Sequence, residues 1–366
     1  MKSCLLLSDY QTDYSADGIL AGFFENPDWD IYEAPISGHV HGRTDQGYDL
    51  PGEPGKGFTS PPTYLSNPLP ESRHTPEDIL DNAKNFNLII LLSYRDYALR
   101  AFQWFIEKTG LSSKDLPLVV CDGEDHPQIN RHIIERTGTR LYFKREMIRE
   151  DRTPGYDKFL NCEIWPLPFS SFTRSYPNDI DDQQKEYDLF LSLGMTHPSR
   201  IGLVKGFLEY AVNNNLRHWI ALDTDAPMRD HPYYSQMKGR LDWFGYLRKQ
   251  AQSKISASVC GFGRDALHFW EIMSFETACL YVDPGIWIPY PPRSGIHCFF
   301  IEPDYSDLAS SIGILLKEDQ VRQHVAHQGK KWLYQHHTNK KRVEYLLEIA
   351  QKVLGGEKIQ KEEYGL

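Results

Sequence analysis

The segment from Ser256 to Glu271 combines residue types that suit the binding of an anion: a short apolar run, a glycine turn and the start of a helical pattern. Gly261 and Gly263 allow a ligand to approach the main chain closely, and free N–H groups at the start of a helix favour negative charge. Arg264 adds a guanidinium that can donate two parallel hydrogen bonds to phosphate oxygens. The spacing therefore predicts a phosphate-binding turn. A glycine-rich entry into an ordinary helix is the competing interpretation, because so short a motif is common.

A carboxylate follows this turn at a distance that a helix would set. Glu271 lies seven residues after Arg264, which is nearly two helical turns and places both side chains on one face, about 10 Å apart. In that arrangement Arg264 can hold a diphosphate while Glu271 accepts hydrogen bonds from the hydroxyls of a ribose. A solvated stripe of opposite charges is the alternative interpretation.

A second group of carboxylates follows the strand-like runs of the first half of the chain. Asp122, Glu124 and Asp125 come after one apolar run, and Asp9 and Asp13 come after the first. Because the sites of open α/β sheets lie beyond the carboxyl ends of the strands, these acids are placed where a site would lie. Loop acids and a helix cap at Asp125 are the competing interpretation.

Two series of strand-length apolar runs, separated by helical patterns, must position these residues. The first series runs to about residue 170, residues 171–186 are polar and aperiodic, and a second series starts at Tyr187. Alternation of this kind predicts an α/β fold with two Rossmann-like domains facing a cleft. We expect domains at 1–180 and 187–337, followed by a C-terminal helix and tail at 338–366.

Composition and charge narrow the class of protein. The chain has 366 residues, with 40 Lys and Arg against 50 Asp and Glu and a formal net charge of −10. A net acidic chain is a poor partner for a nucleic acid polymer. Six cysteines without a paired motif suggest reduced thiols, and no apolar stretch approaches the length of a signal peptide or a membrane helix. We therefore expect a cytoplasmic protein.

The segment Gly261–Glu271 (GFGRDALHFWE) resembles the donor-site segment of GT-B glycosyltransferases. The likeness is closest to the spore-maturation-type and exostosin-like branches, and it extends loosely over residues 85–350. His268 stands where these branches usually have Arg, and the glycine and proline expected after the helix are missing. The other supporting blocks are Phe143–Glu146, Trp165–Ser170, Glu302–Ala309, Gln328–Lys331 and His337–Thr338.

The resemblance implies a metal-independent enzyme, a hexosyl- or pentosyltransferase of glycan biosynthesis, that uses a nucleotide diphosphate-sugar as substrate and no further cofactor. The acceptor would be a hydroxyl of a glycan, a lipid-linked molecule or a protein, bound by the N-terminal domain. The sequence itself indicates that Lys330–Lys331 and Lys340–Arg342 are solvated helix faces, with peripheral contact with an anionic membrane as the alternative. The implied donor ligands are Gly261, Gly263, Arg264, Asp265, Glu271, Arg200, Lys205 and His197, and the implied bases are Asp125, Glu124, Asp122 and Asp13.

Two other classes of function remain open from the sequence. The missing glycine after the Glu271 helix is compatible with a non-catalytic GT-B-like binding or assembly protein. Asp223-Thr224-Asp225 after a strand-like run could hold a divalent ion, as in the metal-dependent transferases. His39-Val40-His41 resembles the paired histidines of metal hydrolases, although its glycine-rich surroundings favour an exposed loop.

Overall fold

The computed structural model of this chain has two α/β halves, each built on a mainly parallel sheet. The residues that the structure describes are 1–8, 13–36, 40–41, 69–70, 74–92, 96–149, 158–159, 161–173, 176, 179–180, 183–224, 226–239 and 241–366.

The first sheet has seven strands in the order β2-β1-β3-β4-β5-β7-β6, of which only the short edge strand β6 is antiparallel to its neighbour. The strands are β1 (Lys2–Leu7), β2 (Trp29–Ala34), β3 (Leu88–Leu91), β4 (Leu118–Asp122), β5 (Leu141–Lys144), β6 (Lys158–Phe159) and β7 (Cys162–Pro166). Strands β3, β4 and β5 are buried along their whole length, because helices cover both faces of a parallel sheet.

The second sheet has five parallel strands in the order β12-β11-β10-β8-β9. They are β8 (Tyr187–Leu193), β9 (His218–Leu222), β10 (Ser253–Ser258), β11 (Ala278–Tyr281) and β12 (Phe299–Phe300). Separate apolar clusters cover the two faces of this sheet, one containing Leu280 and the other its neighbours Cys279 and Tyr281. The alternation of these three residues follows directly from the period of two in a strand.

The main helices are α1 (Tyr14–Phe24), α2 (Pro76–Asp81), α3 (Asp96–Thr109), α4 (Arg131–Thr137), α5 (Ser199–Asn213), α6 (Trp243–Ala251), α7 (Leu267–Met273), α8 (Leu308–Lys317), α9 (Asp319–His336) and α10 (Asn339–Gly355). Thr338 caps α10 by accepting the N–H of Lys341. Helix α10 packs against α1 of the first half, and Tyr364 in the tail is buried in the same cluster. The end of the chain therefore returns to the first sheet.

The predicted fold class is confirmed by this architecture of two Rossmann-like halves with C-terminal helices. All six cysteines are free thiols, and Cys260 alone among them is half-buried rather than buried. Within the described ranges, no helix is both long and apolar enough to span a membrane.

Candidate functional site

A cavity with a volume of about 310 Å³ lies between the two halves. Its walls come from segments that follow the carboxyl ends of strands in both sheets, which is where ligands bind in open α/β folds. The first half contributes Tyr14, Asp125, Arg145 and Phe169 to this cleft. The second half contributes the segments after β8 and β9, the start of α6, the glycine turn and helix α7.

Gly261 allows the guanidinium of Arg200 to lie against the glycine turn. A Cβ at Gly261 would fall 2.8 Å from Arg200 Nη2 and 3.0 Å from Thr196 Oγ1, so a side chain there would have to displace them. Arg200 is buried and donates hydrogen bonds to the main-chain oxygens of Cys260, at 3.0 Å, and Gly194, at 2.6 Å. These bonds connect helix α5 to the turn and hold a positive charge in the cleft wall.

Side chains of the first half pack closely around Gly263. A Cβ at Gly263 would fall 2.6 Å from both Asp125 Oδ1 and Glu146 Oε1 and 2.8 Å from Arg145 Nη2. Arg145 pairs with Asp125 and, at 3.1 Å, with Glu146, while its guanidinium lies 4.3 Å from the centre of the Phe169 ring. The absence of a side chain at Gly263 thus makes room for an ion-pair cluster from the other half.

The main-chain N–H groups that follow Gly263 are already bonded to a carboxylate. Arg264 N–H donates to Glu146 Oε2 at 2.9 Å, and Asp265 N–H donates to Glu146 Oε1 at 3.1 Å. The Asp265 carboxylate in turn accepts the main-chain N–H of Phe169 and the indole N–H of Trp270. Burial raises the pKa values of both Glu146 and Asp265, so the two halves meet through carboxylates that have little contact with solvent.

Glu271 projects from α7 into the cleft and is largely buried. Burial raises its pKa to about 7, against the opposing effect of a 2.7 Å hydrogen bond from the Tyr246 hydroxyl. The Tyr246 ring stacks on Trp243, which also lines the cleft. Burial lowers the pKa of His268 well below its usual range. That histidine is therefore neutral at physiological pH.

Among the predicted donor ligands, Gly261, Gly263, Asp265, Glu271 and Arg200 line the cleft, and three others do not. The Arg264 guanidinium turns away from the cleft and donates to the main-chain oxygen of Pro284 at 3.0 Å. Lys205 is exposed on α5, and His197 is exposed beside Ser199, with which it shares a 2.7 Å hydrogen bond. The helical spacing on which the pairing of Arg264 with Glu271 depends does not occur, because α7 begins only at Leu267.

Among the acids predicted as bases, Asp9 lies outside the described residues, Asp125 lines the cleft, and the other three do not. Asp122 is buried and bonded to Lys144, at 2.9 Å, and to the Tyr142 hydroxyl. Glu124 is half-buried beside it. Asp13 caps α1 by accepting the N–H groups of residues 15 and 16, and burial raises its pKa to about 6. Structural roles therefore account for Asp122 and Asp13.

Sequence reasoning assigned no role to several residues of the cleft. Arg145 belongs to the quoted Phe143–Glu146 block but received no function, and no pattern pointed to Tyr246 or Trp243. By contrast, Asp223, the candidate ligand of a divalent ion, was named from the sequence; it lines the cleft, and its Oδ1 accepts the N–H of Met195 at 2.8 Å.

The structure describes only some residues of the alternative metal sites, and it buries one residue of the basic clusters. Asp225 and His39 lie outside the described residues. His41 is buried and bonded to Glu33 at 2.9 Å, so the expectation of an exposed loop at that position was wrong. The part of the chain that the structure describes contains no group of three or more His, Cys, Asp or Glu able to hold a metal. Arg342 is buried and donates to the main-chain oxygen of Phe169, which removes it from the proposed membrane-facing cluster.

Comparison with known proteins identifies the type of fold. No protein family model and no curated protein matches this chain. Among solved structures, a glycosyltransferase from Rickettsia africae is similar with a TM-score of 0.55 and 11% identity, covering 96% of this chain and 99% of its own. HepE of Anabaena, solved in complex with UDP-glucose, has a TM-score of 0.54 and 12% identity over 95% of this chain and 99% of its own. Sucrose-phosphate synthase from Thermosynechococcus elongatus has a TM-score of 0.50 and 10% identity over 97% and 100%. The fold is thus of the GT-B kind.

Proposed function

We propose that this protein is a GT-B glycosyltransferase that moves a sugar from a nucleotide diphosphate-sugar to an acceptor hydroxyl. The observation that carries this proposal is the cleft itself, which lies at the carboxyl ends of two facing parallel sheets in a glycosyltransferase-like fold. One wall presents the glycine turn with Arg200 and the buried Glu271, and the other presents Asp125. Fold alone does not define an activity, so the proposal depends on these side chains.

The second half would bind the donor. Arg200 lies against Gly261 at the edge of the cleft and supplies positive charge for a diphosphate. Glu271 lies on α7 in the same wall of the cleft. Its carboxylate can accept hydrogen bonds from the two hydroxyls of a ribose. The stacked pair Tyr246 and Trp243 lies next to Glu271 and offers aromatic faces for the base.

The first half would present the acceptor. Asp125 takes the proton of the acceptor hydroxyl as its oxygen bonds to the anomeric carbon of the donor sugar. The bond from that carbon to the diphosphate breaks, and Arg200 stabilises the charge that develops on the departing oxygen. The position of Asp125 on the wall opposite Arg200 supports this division of roles. Exclusion of water by the closed cleft would protect the donor from hydrolysis.

The finer assignments belong to the same proposal. We propose kinship with the spore-maturation-type and exostosin-like branches, a cytoplasmic location, and a hexose or pentose as the transferred sugar. The acceptor would be a glycan, a lipid-linked molecule or a protein, and the reaction would need no metal. Because a structurally similar protein was solved with UDP-glucose, UDP is the first nucleotide to test.

A metal-dependent transferase is the second candidate, because Asp223 lines the cleft. A divalent ion held by its carboxylate could neutralise a diphosphate in place of an arginine. The two candidates differ in their response to a chelator, which would abolish nucleotide binding only in the metal-dependent protein.

The test is a thermal-shift screen against UDP, GDP, CMP, ADP and dTDP, with and without EDTA. A ligand at 100 times its Kd stabilises a protein by about 2.7 kcal/mol, which raises the melting temperature measurably. We expect one nucleotide to stabilise the protein regardless of EDTA and this shift to be lost in Arg200→Gln. Lys205→Gln is the matched control, since Lys205 is on the same helix but exposed. Absence of a shift with every nucleotide would contradict the proposed function.

A further inference from the structure

The carboxylate of Glu146 is held by three donors at the glycine turn. It accepts the N–H of Arg264 at 2.9 Å and the N–H of Asp265 at 3.1 Å, and it lies 3.1 Å from the guanidinium of Arg145. Successive main-chain N–H groups together with an arginine are the donors with which proteins commonly bind a phosphate oxygen. A side chain of the first half therefore occupies an anion position on the second half.

Arg145 has unused hydrogen-bonding capacity at this position. Its side chain is 5% exposed and lines the cleft. Its Nε–H is buried and, within the described part of the chain, has no hydrogen-bond partner. Buried guanidinium N–H groups are normally paired, so an unpaired one beside a cleft indicates that a further acceptor belongs there.

We propose that Glu146 stands in for a phosphate group of the donor and that the donor diphosphate displaces it. In the donor-free protein the two oxygens of Glu146 hold the two N–H groups of the turn and one nitrogen of Arg145. In the complex, diphosphate oxygens take these three donors and the unpaired Nε–H of Arg145. This inference rests on the proposed function, because it assumes that the ligand of the cleft carries a diphosphate. No covalent bond changes in the exchange, since the oxygens of one anion replace those of another on the same donors.

The exchange has a consequence for the first half of the protein. Arg145 follows β5 of the first sheet, whereas Arg264 and Asp265 belong to the second half. A diphosphate bound to all three would connect the two halves directly. It would also compete with Asp125 for the guanidinium of Arg145, with which Asp125 is paired. Binding of the donor would then release the proposed base for the acceptor.

The test compares two variants that break the same ion pair but have opposite expected effects. Glu146→Gln removes the competing charge while keeping the size of the side chain, so pyrophosphate and UDP should bind about tenfold more tightly, as for one charge-assisted hydrogen bond. Arg145→Gln removes a ligand, so both should bind about tenfold more weakly. Uridine, which has no phosphate, should bind equally to both variants and to the unchanged protein. Isothermal titration calorimetry measures all three ligands.

Asp283→Asn is the matched control. Asp283 accepts the N–H of Gly285 at 2.9 Å and pairs with Arg149 of the other half, so it resembles Glu146 in its partners. Neither Asp283 nor Arg149 lines the cleft, whereas Arg145, the partner of Glu146, does. We expect Asp283→Asn to leave the affinities for pyrophosphate and UDP unchanged. If Asp283→Asn binds pyrophosphate and UDP as tightly as Glu146→Gln does, a weakened contact between the halves explains the effect, and the proposal is overturned.

The remaining outcomes separate the proposal from the function on which it rests. If the unchanged protein binds UDP, and Glu146→Gln binds it equally or more weakly, Glu146 is a structural link and the proposal fails alone. If neither the unchanged protein nor any variant binds UDP or pyrophosphate, the proposed function fails with it. Should Glu146→Gln not fold, Glu146→Asp, which retracts the carboxylate by one methylene, carries the same expectation of tighter binding.

Discussion

Replacing Glu271 by glutamine should stabilise the protein at alkaline pH while weakening binding of a nucleotide. Burial raises the pKa of Glu271 from its ordinary value of 4.5 to about 7. The folded protein therefore holds this proton more tightly than the unfolded chain does. The free energy of unfolding then falls as the pH rises from 4.5 to 7, and the full cost of the buried charge is present above pH 7.

The size of the effect follows from that difference. A shift from 4.5 to about 7, at about 1.4 kcal/mol for each pH unit, corresponds to about 3 kcal/mol. Glutamine has no charge to bury, and its amide oxygen can still accept the 2.7 Å hydrogen bond from Tyr246. We therefore expect the free energy of unfolding of Glu271→Gln to exceed that of the unchanged protein by about 3 kcal/mol at pH 8 and by little at pH 4.5.

Urea unfolding at pH 4.5 and pH 8 measures this difference. Glu135→Gln is the control, because Glu135 forms an exposed ion pair with Arg131 and its replacement should change the free energy of unfolding by less than about 1 kcal/mol. Calorimetry with UDP tests the predicted loss of nucleotide binding. Glu271→Gln should bind UDP more weakly, since loss of the carboxylate removes the acceptor for the ribose hydroxyls. A variant that is no more stable than the unchanged protein at pH 8 would refute the reasoning, because Glu271 would then not carry the cost of a buried charge.

Three other substitutions, one of them with a control variant, test the packing at two glycines and the hydrogen bond to Glu271. Gly263→Ala should lower the free energy of unfolding by about 1–3 kcal/mol because its Cβ overlaps the ion-pair cluster, whereas Gly239→Ala, with no atom within 4 Å of its Cβ, should change it by less than about 0.5 kcal/mol in the same urea assay. Tyr246→Phe removes the hydrogen bond that lowers the pKa of Glu271, so the loss of stability with rising pH should move to higher pH in a pH series. Gly22→Ala should cost about 3 kcal/mol, measured by urea unfolding, because its Cβ would overlap the main chain of α10.

The fold was predictable because strands and helices leave local patterns. Apolar runs such as Leu88–Leu91 and Tyr187–Leu193 have the length and composition of buried parallel strands, and they are strands β3 and β8 in the structure. Thr338 similarly marks the start of the last helix. These features depend on neighbours in the sequence, so one chain suffices to identify them.

The cleft was only partly predictable because its contacts join distant segments. Arg200 was implied by the resemblance and Glu271 by its spacing after the glycine turn, and both line the cleft. Arg264 was expected there from helical spacing, but the helix begins later and its guanidinium bonds to Pro284. The bonds from the turn to Glu146 span 118 and 119 residues, and no local pattern reports a contact at that separation.

The central claim is that the cleft binds the diphosphate and the ribose of a nucleotide donor. The most direct test is a crystal structure of the protein with the nucleoside diphosphate that stabilises it most, grown in the presence of EDTA. The account predicts diphosphate oxygens within hydrogen-bond distance of Arg200 and ribose hydroxyls on the carboxylate of Glu271. A nucleotide bound elsewhere, or one bound in the cleft only when a metal ion bridges it to Asp223, would contradict it.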